Sequence, residues 1–176
     1  SIDHSFELEK PTKIGHNFDG WTGSNGEIPE KVVKIEKGTT GEKYYRANYT
    51  PIPYTLTVRC ISETTGDCIK TLQYTYTFGT YYNITAPEID GYTIKNINGI
   101  YNKMPANDHT IEFYYIPNTD TKYTVEHYKQ NILDNGYTIF DTEELEGTTD
   151  TVTEIEPKVL EGFTAKEIQQ GYIDGS

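Results

Sequence analysis

Apolar and polar residues alternate most clearly between Tyr54 and Tyr76. The residues of one parity are Tyr54, Leu56, Val58 and Cys60 in the first run, and Cys68, Leu72, Tyr74 and Tyr76 in the second. A period of two is typical of strands with one face on a core. A polar turn containing Gly66 separates the runs, so the pattern predicts a β-hairpin. Placing Cys60 opposite Cys68 also matches the apolar sets, and a one-residue slip would reverse the faces.

Shorter alternating runs predict strands through most of the remaining sequence. Val33 and Ile35 lead to a glycine turn, and a second alternating run begins beyond it at Tyr45, which predicts another hairpin. Residues 110–116 predict a further strand, and only residues 86–90 have the length of a single helical turn or a loop. The 16 tyrosines favour strands. We therefore predict a mainly β fold, with α+β at the margin.

Two linkers divide this pattern into three units. The segment 51–53 contains two prolines, which stiffen the backbone and remove ladder donors, and 117–122 is a polar linker. The third unit repeats the second, since Val125 aligns with Val58 and Gly162 with Gly91. We place the domains at 1–53, 54–118 and 119–176, in an elongated array. The third has no counterpart of residues 110–116, so we expect it to lack its last strand and to expose an edge for self-association.

The first unit carries a distinctive motif. The stretch FELEKPTKIGHNFDGWTG, followed by KGTTGEKYYRANYTP, resembles the Listeria/Bacteroides-type repeat, the B-repeat of internalin-like bacterial surface proteins. The matching positions of the core motif are Pro11, Thr12, Lys13, Gly15, Phe18, Gly20 and Trp21. His16 stands where the family usually has an aromatic residue. The resemblance implies that this unit lacks the first strand of its family.

The second and third units resemble another family of surface repeats. The order TVRCISETTGD, FGTYYNITAPEIDGYTI, NGIYNK and HTIEFYYI is similar to the mucin-binding-protein (MucBP) repeat, and residues 119–176 are similar to it imperfectly. Such repeats have a ubiquitin-like β-grasp fold, so the resemblance implies tandem β-grasp modules. It brings no enzymatic activity and no cofactor.

The two resemblances together imply a location and a role. We expect a non-catalytic repeat region of a secreted or cell-wall-attached protein of a Gram-positive bacterium, acting as an adhesin stalk and as an interaction module for surface proteins or glycans. A module that binds mucin glycans directly is the first alternative. An accessory region of a larger secreted enzyme is the second.

Charge and motif content narrow the function classes. The formal net charge of -12 disfavours nucleic acid and anionic membranes, because a polyanion repels the chain. The sequence contains no transmembrane span, so we expect no direct membrane insertion. It also contains no HExxH, P-loop, GxGxxG or GxSxG motif, which favours a non-enzyme.

Two kinds of residue are candidates for a metal or disulfide site. Cys60 and Cys68 are either a disulfide or two small buried residues, and two thiolates at this spacing do not complete a zinc site. The acidic residues between Asp141 and Glu156 have hard oxygen ligands for calcium, but they lack a calcium-loop pattern. We interpret them as a solvated face.

Adjacent tyrosines are the candidates for ligand contact. The pairs are Tyr44-Tyr45, Tyr81-Tyr82 and Tyr114-Tyr115. Neighbouring strand positions face opposite ways, so one ring of each pair can lie in the core and the other outside. An outward ring suits stacking on a sugar or a protein partner, whereas the ordinary interpretation is a half-buried cross-strand contact. Tyr81 and Tyr82 are the pair we select for testing.

Overall fold

The computed structural model describes residues 2–166 and 169–175, and every regular element within these ranges is a β-strand. The first eight strands are β1 (Phe6–Glu7), β2 (His16–Gly23), β3 (Gly26–Glu30), β4 (Lys34–Ile35), β5 (Tyr45–Pro51), β6 (Pro53–Ser62), β7 (Cys68–Thr77) and β8 (Tyr81–Thr85). The others are β9 (Tyr92–Ile94), β10 (Gly99–Lys103), β11 (His109–Pro117), β12 (Thr121–Gln130), β13 (Tyr137–Gly147), β14 (Thr151–Ile155) and β15 (Gln169–Ile173). The mainly β fold is confirmed.

The chain divides into two compact units. One contains Ser1–Val58, Leu72–Ile84 and Ile100–Ile111, and the other contains Arg59–Thr71, Thr85–Gly99 and Glu112–Ser176. These units do not test the boundaries 1–53, 54–118 and 119–176, which stay a prediction, as does the β-grasp identity of the modules.

The compact unit that begins with Ser1–Val58 contains a three-stranded sheet in the order β3-β2-β5 and a separate pairing of β1 with β4. Phe18 on β2 lies opposite Tyr49 on β5, and the two rings meet edge to face at 5.8 Å between centroids. The predicted hairpin between Val33 and Tyr49 is wrong, because Ile35 pairs with Phe6 and β5 pairs with β2. The longer-range pairing of β5 with β2 buries Phe18, and the contact of its ring with Tyr49 stabilises this pairing.

Four strands form a sheet in the order β7-β6-β11-β9. The alternation predicted for β6 is confirmed, since Leu56, Val58 and Cys60 are fully buried. On β11 the side chains of Phe113 and Tyr115 are buried in the same way. Burying each such apolar side chain contributes roughly 1.5–3 kcal/mol, so the inward faces of β6 and β11 provide much of this core.

The direction of β11 relative to β6 follows from contacts that advance together along both strands. The N–H of Thr55 donates to Asp108 at 2.7 Å, Arg59 contacts Glu112 at 2.8 Å, and the N–H of Glu63 donates to the carbonyl of Tyr115 at 2.9 Å. The two strands therefore run parallel. By contrast, β9 is antiparallel to β11.

The described residues from 119 onward belong to the compact unit that also contains Arg59–Thr71, and they form two further strand pairings. β12 pairs with β13 antiparallel, with an irregularity between His127 and Tyr128, and β14 pairs with β15 antiparallel. Val125 and His127 point inward and are buried, like Val58 and Cys60 at the aligned positions of β6. The face predicted by the internal alignment is therefore the buried one.

The two cysteines lie in different environments at the two ends of the β6–β7 connection. Cys60 is buried and Cys68 exposed, and both are free thiols. Burial raises the pKa of Cys60 above its usual value, whereas a hydrogen bond with the hydroxyl of Thr71, at 3.3 Å, lowers that of Cys68. The Cys60–Cys68 disulfide stays a prediction for exported material.

We predict that Cys68 in the reduced chain reacts with iodoacetamide faster than Cys60. The thiolate is the nucleophile, so exposure and a lowered pKa act in the same direction at Cys68. Peptide mass spectrometry over a time course at mildly alkaline pH measures both rates, and a Cys68→Ser variant provides the rate of Cys60 alone. Equal rates would contradict this difference in environment. A lack of alkylation in non-reduced material, relieved by a reductant, would establish the disulfide.

Candidate functional site

A first joint connects β5 to β6 and consists of Gly15, Ile52 and Phe78. Ile52 is the single residue between the two strands. Its N–H donates to the carbonyl of Gly15 at 2.8 Å, and its carbonyl accepts a hydrogen bond from the N–H of Phe78 at 2.9 Å. The linking residue is thereby held on both sides, by the turn before β2 and by the turn after β7.

A second joint connects β11 to β12 and consists of Gly91, Asn118 and Thr149. Asn118 follows the last residue of β11, and its N–H donates to the carbonyl of Gly91 at 2.8 Å. Its own carbonyl accepts a hydrogen bond from the N–H of Thr149 at 2.9 Å. The second joint therefore repeats the backbone pattern of the first, although the linking residues, Ile52 and Asn118, have different side chains.

The strand register next to the two joints is also the same. His16 lies opposite Pro51 in the β2–β5 pair, and Tyr92 lies opposite Pro117 in the β9–β11 pair. In each case a glycine precedes the first residue of the pair, and a proline ends the outgoing strand. The bond from the linking residue to the glycine carbonyl is the regular one beside a non-hydrogen-bonded pair, so the missing N–H of the proline costs no ladder bond.

Both joint glycines adopt a backbone conformation that other residues rarely reach. Gly15 has φ 66° and Gly91 has φ 76°. A Cβ at Gly15 would lie 2.2 Å from the ring of Phe78, and one at Gly91 would lie 2.4 Å from the Cα of Gly175 and 2.8 Å from the hydroxyl of Thr149. Conformation and close approach therefore both select glycine. Gly162, aligned with Gly91, has φ 81°, but a Cβ there would meet no atom within 4 Å.

Each joint has its own supporting side chains. At the first joint the His16 ring meets Phe78 edge to face at 5.5 Å between ring centroids. At the second joint Asp150 accepts hydrogen bonds from the hydroxyls of Ser62 at 2.7 Å and Tyr92 at 2.6 Å. Burial and the neighbouring Asp150 carboxylate raise the pKa of Tyr92, which keeps the phenol protonated as a donor.

An exposed aromatic face, formed by Tyr81, Tyr101 and Lys103, lies on β8 and β10. The two rings stack with their planes 3° apart and their centroids at 5.2 Å, and the Lys103 amine lies 4.8 Å from the Tyr81 centroid. Tyr81 is 55% exposed and Tyr101 67%. Since Tyr101 and Lys103 both engage Tyr81, Tyr101 offers the larger free ring surface.

The predicted stacking pair is divided between the core and the surface. Tyr82 is 2% exposed, and burial raises its pKa, so its ring does not face solvent beside Tyr81. Tyr114 and Tyr115 divide in the same way, as the period of two requires. Sequence reasoning missed Tyr101 because it has no tyrosine neighbour. No sequence signal singled it out, because the pairing of its strand with β8 arises only in the folded chain.

The acidic residues of β13 contact a lysine. Lys158 forms salt bridges with Asp141 and with Glu143, the latter at 2.8 Å, and the Lys158 amine lowers the pKa of both carboxyls. Glu143 also contacts the His127 ring at 2.8 Å. Within the described ranges no group of three metal-ligating side chains comes together. No helix in the same ranges has the length and hydropathy of a membrane span.

Comparison with known proteins adds no assignment. No protein-family model matches the chain, and a search of curated proteins found no match. The internalin B-repeat and MucBP resemblances therefore stay interpretations of the sequence.

We predict that Gly91→Ala weakens the second joint, whereas Gly162→Ala serves as its matched control. Both substitutions carry the cost of an alanine at positive φ, about 1–2 kcal/mol. Only Gly91→Ala adds a clash with Thr149 and Gly175. We expect it to lower the free energy of unfolding in urea by about 1 kcal/mol more than the control. Hydrogen exchange at the amides of Asn118 and Thr149 should accelerate only in Gly91→Ala, and equal behaviour of the two variants would contradict the joint.

Proposed function

We propose that this chain is a non-catalytic repeat region of an exported bacterial surface protein, and that it acts as a stalk that holds other parts of the protein at a distance. The repeated joint is the observation that carries the proposal. Two different linking residues, Ile52 and Asn118, make the same pair of backbone hydrogen bonds to a preceding glycine carbonyl and a following turn. Repetition of one connection is what an array of similar modules requires.

The joints favour a stalk over a flexible tether. A flexible linker leaves its backbone groups to water, whereas Ile52 and Asn118 each donate and accept one hydrogen bond. Each bond contributes about 0.5–1.5 kcal/mol net, and the glycine geometry and packed side chains add to it. Bending at a joint would break these contacts together. The tandem β-grasp arrangement and its elongated form are part of this proposal.

The charge of the chain supports an extracellular role. A net charge of -12 keeps neighbouring copies apart and disfavours nucleic acid, as suits a spacer between a cell wall and its surroundings. The internalin B-repeat and MucBP resemblances motivate the assignment to a bacterial surface. We infer that contacts with partners are made by individual faces of the modules, while the joints set their spacing.

Small-angle scattering tests the stalk directly. A compact globule of this length has a radius of gyration of roughly 16 Å, and the proposal requires a clearly larger value. We also expect Gly91→Ala to broaden the distance distribution while Gly162→Ala leaves it unchanged. A radius near that of a compact globule would defeat the proposal. An unchanged distribution in Gly91→Ala would show that the joint does not control bending.

A second candidate function is direct binding of glycans at the exposed aromatic face of Tyr81, Tyr101 and Lys103. The specific observation in its favour is the large free surface of Tyr101, beside a cation and a polar strand face. A flat apolar ring suits the C–H face of a sugar, and the lysine can donate hydrogen bonds to its hydroxyls or to a carboxylate.

We predict weak glycan binding that depends on Tyr101. Tyr101→Ala should abolish it, and Tyr44→Ala should leave it unchanged, because Tyr44 is equally exposed but lies outside this face. Binding of neutral glycans should vary little with salt, since stacking rather than charge drives it. A panel of mucin-type glycans measured by nuclear magnetic resonance titration provides the test. Absence of binding at millimolar glycan, or equal binding by Tyr101→Ala, would remove this candidate.

A further inference from the structure

The sheet with the order β7-β6-β11-β9 begins with a long strand that has one unpaired edge. β7 pairs with β6, and among the described residues it has no strand partner on its other side. Other strands at sheet edges carry features that discourage further pairing. β3 contains Glu27, Pro29 and Glu30, and β9 is only three residues long. Charge, proline and shortness are common protections of an edge strand.

The second half of β7 has none of these protections. The segment 72–77 reads LQYTYT and contains no charge, proline or glycine. Its tyrosines and threonines have high β propensity, and its side chains are exposed or half-buried, with Tyr74 39% exposed. In a chain with a net charge of -12, an uncharged edge is where the electrostatic repulsion of a second copy is weakest. The segment is therefore open to pairing with another strand.

One hydrogen bond shows which backbone groups face the free edge. The N–H of Phe78, the residue after β7, donates to the carbonyl of Ile52 at 2.9 Å, on the side of β6. The backbone groups of successive strand residues point to opposite sides, so those of Gln73, Thr75 and Thr77 point away from β6. The free edge thus offers a donor and an acceptor at every second residue.

The segment is self-complementary about Tyr74. When two copies pair antiparallel with Tyr74 opposite Tyr74, Leu72 lies opposite Tyr76 and Gln73 lies opposite Thr75. Aromatic and aliphatic residues then meet on one face, and polar residues meet on the other. The backbone groups of Gln73 and Thr75 form hydrogen-bonded pairs in this register. The two Tyr74 residues form a non-hydrogen-bonded pair, in which side chains approach most closely.

We propose that the free edge of β7 pairs antiparallel with the same edge of a second copy of the chain, about a two-fold axis at Tyr74. The interface is the same on both copies, so association stops at a dimer. The edge differs from the one predicted for the third unit, and the pairing uses no residue of the joints or of the exposed aromatic face. The proposal therefore depends neither on the stalk nor on glycan binding.

Two double variants test the pairing. Gln73→Lys with Thr75→Glu places opposite charges across the two-fold axis, whereas Gln73→Lys with Thr75→Lys places like charges there. We expect the first variant to dimerise at least as tightly as the unaltered chain. The second should weaken dimerisation by about tenfold or more, because like charges directly opposite each other repel.

A matched control separates this effect from the change in net charge. Asn83→Lys with Thr85→Lys adds the same two charges at exposed positions of β8. Because added lysines reduce the net charge of -12, this control should not weaken dimerisation. Circular dichroism and urea unfolding establish that each variant is folded.

Sedimentation equilibrium at chain concentrations up to about 1 mM measures the dimerisation constant and reaches weak interfaces. Raising the salt from about 0.05 M to about 0.5 M should strengthen the dimer, because salt screens the repulsion between copies. Hydrogen exchange provides a second measurement on the unaltered chain. The amides of Gln73 and Thr75 should become protected as the chain concentration rises.

Four outcomes would overturn the proposal. A chain that stays monomeric at about 1 mM and high salt has no such interface. A dimer that Gln73→Lys with Thr75→Lys leaves unchanged makes its contact elsewhere. Equal weakening by both double variants would exclude the register about Tyr74. Association beyond the dimer, or amides of Gln73 and Thr75 that exchange equally fast at all concentrations, would contradict the two-fold pairing.

Discussion

The connections from β5 to β6 and from β11 to β12 depend on one backbone arrangement. In each, a glycine carbonyl accepts a hydrogen bond from the residue that follows β5 or β11. Gly15 receives Ile52, and Gly91 receives Asn118. The outgoing strand ends in a proline whose missing N–H costs no ladder bond, because the proline lies in a non-hydrogen-bonded pair. Since all the hydrogen bonds involved are between backbone groups, the linking residue is free to vary. A repeated protein can thus change its linker sequence without changing the geometry of its connections.

Side chains adapt the common arrangement to each position. The first joint is apolar and aromatic, with the His16 ring against Phe78, whereas the second is polar, with Asp150 holding Ser62 and Tyr92. Aromatic packing stabilises the first joint by removing apolar ring surface from water. At the second joint, the hydrogen bonds to the Asp150 carboxylate provide the stabilisation. The same pair of backbone hydrogen bonds is thus supported by different side chains at the two joints.

The hairpins that begin with β6 and β12 share their inward positions and differ in their outward charges. Val58 and Cys60 of β6, and Val125 and His127 of β12, are buried at aligned positions. A strand places alternate residues on one face, so packing constrains the inward positions and leaves the outward ones free to vary. At the aligned outward position β6 has Arg59 and β12 has Glu126.

The sequence by itself determined which residues of β6 and β12 face inward, because a period of two needs only local information. It also indicated connecting segments at 51–53, from two prolines, and at 117–122, from a polar run. Only the tertiary structure decided that β4 pairs with β1 rather than β5, that Tyr101 stacks on Tyr81, and that Gly91 carries a joint while Gly162 is open. These outcomes depend on partners distant along the chain, whose contacts are selected by packing and by backbone hydrogen bonds that no local pattern encodes.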